Sequence, residues 1–168
     1  MTLWLAASAC GHSAKACVVQ HGGAAGRATT HAGRTSCPNN PLLGVYDPTR
    51  LEVRQQCVWF TGTVTDVGNR NDGDHHLDVA PAAGFDQYLN KGNRKDQNGA
   101  MVVELMPGQD FPVPQPGDQI SVFGTWVHDQ HNDWNEIHPV WTIQYAGNGS
   151  AITSLPPRIP EYACSSND

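Results

Sequence analysis

The sequence predicts an all-β domain, built as a small five-stranded Greek-key barrel of the OB type with one short helix. Three observations carry that prediction. Only 15% of the 168 residues are charged, while the chain holds 17 glycines and 12 prolines. That balance is rich in turns and poor in the Glu/Lys/Ala composition of helical proteins. Five segments show the β-branched and aromatic content, or the period-two alternation, of strands. The longest of them carries an internal glycine, and one long connection has room for a single helix. The runner-up architecture is a β-sandwich, because strand count does not separate the two.

Taken in order, residues 1–36 are largely Ala, Gly, Thr, His and Arg, with almost no large apolar side chains. Such a segment cannot bury enough surface to offset its ordering entropy, so a signal remnant or disordered linker is expected there. His12, His21 and His31 lie in it at spacings that form no helical or strand face. The folded domain is expected over residues 37–146, with Pro38, Pro41 and Asp47-Pro48 keeping its approach irregular. Residues 57–67 read as a long strand, in which Gly62 suggests a bulge or a sharp bend. Asn71-Asp72-Gly73-Asp74 is a turn. It has a faint look of a calcium loop, but no glutamate closes it, and a tight Asp-Gly turn explains it more simply.

The strand resumes over 75–80, with His75, Leu77 and Val79 on one face and His76 and Asp78 on the other. A helix is expected over 85–90, then a polar loop to Gly99 and a strand over 100–106. The proline-rich stretch 107–116 is a connector. Gly117-Asp118 opens a strand over 119–128, residues 129–135 turn the chain, and 136–145 form the last strand. Residues 147–168 are read as a C-terminal tail.

The bulk chemistry excludes some functions. A net charge of −6 argues against nonspecific coating of nucleic acid, which needs clustered Lys and Arg. Lys91, Arg94 and Lys95 make a basic knot that reads as a solvated loop. No apolar run approaches the roughly 20 residues of a membrane-crossing helix. There is no P-loop, G-x-S-x-G or dinucleotide fingerprint. Five cysteines without a C-x-x-C pair do not resemble a zinc ribbon or a thioredoxin motif. Disulfides in an oxidising compartment are expected instead. The run Leu3-Trp4-Leu5-Ala6-Ala7-Ser8-Ala9-Cys10 resembles the end of a bacterial lipoprotein signal, although Ala7 stands where leucine is usual and no basic region precedes it. Lipidation of Cys10 would leave Cys17, Cys37, Cys57 and Cys164 as an even set for two bridges. The expected location is extracytoplasmic, secreted or held at a membrane through Cys10.

Chemistry concentrates in residues 126–140, which hold three histidines, three acids and two tryptophans. Glu136 and His138 are two apart on a strand and so share a face, while the turn brings Asp129 and His131 near. His76 completes the set if its strand lies across the barrel face. Imidazoles with a carboxylate suit zinc, iron or manganese better than calcium. The alternatives are a hydrogen-bonded network that stiffens the hairpin and a metal-free catalytic site. His128 and His75 are left out as half-buried or core-edge residues. Of the tryptophans, Trp134 in the turn is the one expected to be exposed, and Trp141 is expected in the core.

Gly62-Thr63-Val64, Asp72-Gly73-Asp74-His75-His76, Val103-Glu104, Pro116-Gly117-Asp118, Gly124-Thr125-Trp126-Val127-x-Asp129 and Trp134-Asn135-Glu136-Ile137-His138-Pro139-Val140 together resemble an uncharacterised group of small exported bacterial and archaeal proteins. The resemblance spans roughly residues 50 to 145, through a D-G-D-x-H turn and a W-x-E-I-H-P segment. It implies that His76, Asp129, His131, Glu136 and His138 are the residues to watch, and it implies no activity. Many members have glycine where this chain has Asp133, which implies a different turn there. The expected function is an exported binding module for an unknown ligand, with a His/carboxylate or metal site at the last hairpin. The alternatives are a metal-dependent phosphodiesterase or nuclease with Glu136 as general base, and an interaction domain without a small-molecule site.

Overall fold

The computed structural model describes residues 38–69, 73–147 and 150–155, and the short strand Thr29–Thr30. The expectations for Cys10, Cys17, Cys37 and Cys164 and for the N-terminal histidines lie outside the described residues. The strands are β1 (Thr29–Thr30), β2 (Leu51–Asn69), β3 (His75–Pro81), β4 (Met101–Leu105), β5 (Gln119–Asp129), β6 (Trp134–Tyr145) and β7 (Ala151–Thr153), with one α-helix, α1 (Lys91–Asp96). Their order in the sheet is β1-β7-β6-β4-β3-β2-β5, and β5 also pairs with β6. That last pairing closes β2, β3, β4, β6 and β5 into a ring. Neighbours run antiparallel except β4 and β6, which are parallel. A five-stranded ring in which the third strand pairs with the fifth is the Greek-key barrel of the OB type. β7 pairs with β6 through Thr142↔Thr153 and Ile143↔Ile152, so the sheet continues into residues expected to be tail.

Alternation fills the barrel. Val58, Phe60 and Val64 of β2, Leu77 and Val79 of β3, Val103 of β4, Val122 of β5 and Ile137 and Ile143 of β6 form one buried cluster. Val140 joins it while Trp141 does not, because the β5–β6 register slips around Gly124 and changes the phase of β6. A second, smaller cluster of Val45, Leu51, Met106 and Val127, with Leu42 against it, lies on the outside of the barrel. The irregular segment 38–50 folds over that outer face.

Several local expectations are corrected. β2 is longer than expected, and its register shifts fall at Val53/Gln55, Gln55/Val58 and Val64/Asp66 rather than at Gly62. Gly62 is needed for a different reason: a Cβ there would stand 2.2 Å from the Ala80 carbonyl oxygen. The helix is displaced as well. Asp86–Tyr88 form only a 3₁₀ turn, and the α-helix starts at Lys91. Asn90 sets that start, since its side chain accepts from Asn93 N at 2.9 Å while Asn93 Oδ1 accepts from Asn90 N at 3.1 Å. This reciprocal cap satisfies two donors of the first turn.

Asn93 also ties the helix to β6. Its amide donates to the carbonyls of Ala100 and Asn135, and its Oδ1 accepts from Asn135 N at 2.9 Å. Gly92 lies against the Asp133 carbonyl, where a Cβ would come within 1.9 Å. Asp133 itself has φ 61°, the left-handed region that favours glycine. The helix therefore sits directly on the β5–β6 turn and fixes it.

Candidate functional site

The register decides which polar side chains meet. His76 pairs with Glu104 and Asp78 with Val102 across β3–β4. Val102 pairs with Glu136 and Val103 with Ile137 across β4–β6. Val127 pairs with Glu136 across β5–β6. Directly opposed residues share a face, and Leu77, Val103 and Ile137 occupy the inner one. His76, Asp78, Glu104, Glu136 and His138 therefore emerge together on the outer face, beside the Val45–Val127 cluster. Most of this group is buried: Asp74, His76, Glu104, Asp129, Glu136 and His138 each keep 5% or less of their surface. Charges buried to this degree need partners, and these are arranged in two networks and one turn.

The first network is closed around His76. Its Nδ1 lies 2.8 Å from Glu104 Oε1, and its Nε2 lies 3.1 Å from Asp78 Oδ1. The Trp134 ring stands edge-on to it, with centroids 6.5 Å apart. With a carboxylate on each ring nitrogen, His76 has no donor or acceptor left to offer a ligand.

The second network is open. Trp134 Nε1 donates to Glu136 Oε1 at 2.7 Å, and His138 Nδ1 donates to Glu136 Oε2 at 3.2 Å. Glu136 thereby fixes the plane of the His138 ring and aims its Nε2 at Asp74, whose Oδ2 is 3.6 Å away. That separation is too long for a hydrogen bond, and Nε2 has no hydrogen-bond partner among the described residues. Burial alone would lower the His138 pKa. The hydrogen bond and charge of Glu136, with the charges of Glu104 and Asp74, outweigh it and hold the imidazole above its ordinary value. Burial likewise raises Glu136, but the His138 bond and charge, the Trp134 bond and the Arg50 charge bring it below the usual carboxylate range.

Above His138 opens a pocket of about 330 Å³, lined by Asp74, His138 and His131 together with Val45, Tyr46, Asp47 and Arg50. Its rim comes from three pieces of chain: the end of the β2–β3 loop, the β5–β6 turn and the segment before β2. Glu136 is not on its wall. Asp129 is also absent from it, because its oxygens are engaged below. Asp129 Oδ2 meets Arg50 at 3.0 Å and Asn132 Nδ2 at 2.7 Å, and Oδ1 accepts from His131 N at 2.8 Å and Asn132 N at 3.2 Å. Asp129 builds the turn that presents His131.

Of the five residues singled out from sequence, His131 and His138 thus face the pocket, Glu136 supports His138 from behind, Asp129 supports the turn, and His76 belongs to the neighbouring network. Asp74 and Glu104 appear in the motifs quoted from the sequence, but sequence reasoning did not count them among the site residues. Asp74 was read as part of a tight turn, yet it stands two residues before His76 and continues the same alternation. Glu104 had a plain signal, being the one charge in the apolar run Met101–Leu105. Trp141 is buried as expected, but Trp134 is half-buried and hydrogen-bonded rather than exposed, while Trp59 is exposed, against Phe123 at 5.2 Å.

No group of three or more His, Cys, Asp or Glu side chains among the described residues already has the spacing to hold a metal ion. The chain matches no family model, no curated protein and no solved structure.

Proposed function

We propose that this is an exported binding module, an OB-type barrel that takes a small polar or cationic ligand in the pocket above His138. One observation carries the reading: His138, only 2% exposed, lines an open pocket, and its buried Nε2 has no hydrogen-bond partner among the described residues. A polar atom left in that condition costs about 1–3 kcal/mol, a loss that a bound group would recover. The pocket lies at the loops after the first and fourth barrel strands, the edge at which OB barrels take their ligands. At about 330 Å³ it is at the small end of ligand pockets. The buried carboxylates around it favour a cationic or hydroxyl-rich guest over an anion. Export is read from the five cysteines of the sequence, a content that suits an oxidising compartment.

Backbone amide spectra of the labelled chain test the pocket. The probes are zinc chloride, calcium chloride, spermidine, glucose and inorganic phosphate, each added alone. At least one cation or the sugar is expected to move the signals of Asp74, His131 and His138 together. A folded spectrum in which none of the five probes moves those signals would sink the reading. For export, non-reducing mass spectrometry of protein recovered from outside the cytoplasm should show Cys57 cross-linked; a free thiol there would count against it.

A further inference from the structure

We propose that Asp74 and His138 are two ligands of a transition-metal site that His131 completes. This rests on the pocket reading and names its guest. The geometry begins with the 3.6 Å between Asp74 Oδ2 and His138 Nε2. The two form an ion pair, but one without the charge-assisted hydrogen bond that would close it to about 2.7–2.9 Å. An ion with bonds of about 2.0–2.1 Å to each atom would subtend an angle of roughly 120°, within the range of a distorted tetrahedron. The separation of the two atoms thus leaves room for both to bind one ion.

The surroundings of His138 have the form that metal-binding histidines take. A ligating imidazole uses one nitrogen for the metal and donates the other N–H to a carboxylate, which fixes the tautomer and aims the ring. Glu136 Oε2 holds the Nδ1 position at 3.2 Å, and Trp134 Nε1 holds the other Glu136 oxygen at 2.7 Å. The remaining nitrogen is buried, 3.6 Å from Asp74 Oδ2, and without a hydrogen-bond partner among the described residues. Glu104 Oε2, also buried without such a partner, lies one strand away and adds negative charge that favours a cation.

His131 is the third donor. It lines the same pocket from the β5–β6 turn, and its side chain is exposed. A rotation of its ring into the pocket would bring a second imidazole to the ion, leaving one position open to water or ligand, as in zinc sites that are not purely structural. Two imidazoles and one carboxylate select zinc, iron or manganese over calcium. His76 is outside the set, because carboxylates take both its nitrogens.

The test uses the full chain, oxidised, stripped with chelator and titrated calorimetrically with zinc alone. The expected result is a pocket site of one zinc per chain. His131→Ala, an exposed change that leaves the core untouched, is expected to weaken that binding at least tenfold, and Asp74→Asn and His138→Gln to abolish it. Glu136→Gln should weaken it by about 10–100-fold, the usual effect of losing a supporting carboxylate. His76→Gln should leave it unchanged. Zinc held at the N-terminal histidines or at cysteines would be indifferent to Asp74→Asn and His131→Ala, and that indifference overturns the proposal. So does the absence of binding by the folded wild type. If spermidine or glucose still moves the pocket signals in that case, the binding module stands and only the metal falls.

Discussion

At the scale of single residues, the outer face shows how much work fixed partners do for a buried charge. Asp129 is fully buried and accepts from Arg50, two backbone amides and the Asn132 side chain. Asp129→Ala should therefore cost about 3–5 kcal/mol, the range for removing one partner of a buried pair, and the loss should appear as a lower urea midpoint with an unchanged slope. Asp133 gives the opposite sign. Its φ of 61° is costly for a residue with a Cβ, by up to about 1–2 kcal/mol and less for Asp, and its side chain is exposed. Asp133→Gly should raise stability by about 0.5–1 kcal/mol in thermal unfolding.

At the scale of elements, the strands were legible and the helix was not. β3, β4 and β5 were found to within a residue or two, because each alternates or runs apolar between Gly, Pro and Asp signals. β2 was found only in its core half, since Glu52, Arg54, Gln55 and Gln56 at its start are polar and exposed. The helix was placed six residues early because its signal is Asn90-x-x-Asn93, a weaker cue than Ser or Thr followed by Glu, while Phe85 and Tyr88 mimic an apolar face. The candidate site was half legible for a related reason. Alternation along one strand put Glu136 with His138, but the neighbours of β6 are set by the parallel pairing with β4, and nothing local in the sequence encodes which strands lie side by side. Gly92 tests the role of α1. Gly92→Ala would drive a methyl into the Asp133 carbonyl, so it should destabilise by about 1–3 kcal/mol and move the amide signals of His131 and Trp134, far along the chain.

At the scale of the whole molecule, the barrel closes through β5–β6 and is braced by the connector before β5. Gln109 Nε2 donates to the carbonyls of Val140 and Ser154, each at 2.8 Å, and the Tyr145 hydroxyl donates to the Pro112 carbonyl. Burial, with a smaller contribution from the Asp118 charge, pushes the Tyr145 pKa from 10.0 up to about 12. The folded state thus prefers the neutral phenol. Its contribution to stability is complete below pH 10 and is lost as the pH climbs from 10 towards 12. Tyrosinate absorbance should show a late-titrating tyrosine, and Tyr145→Phe should remove it.

The pocket rim and its foundations come from different kinds of chain. Tyr46, Asp47, Asp74 and His131 sit on loops or at a strand end, whereas Glu104, Glu136 and His138 are built into paired strands. Loops tolerate replacement far better than paired strands do. New guests should therefore be selectable by randomising the rim alone, which makes the barrel a scaffold whose recognition can be rewritten while its framework is inherited intact.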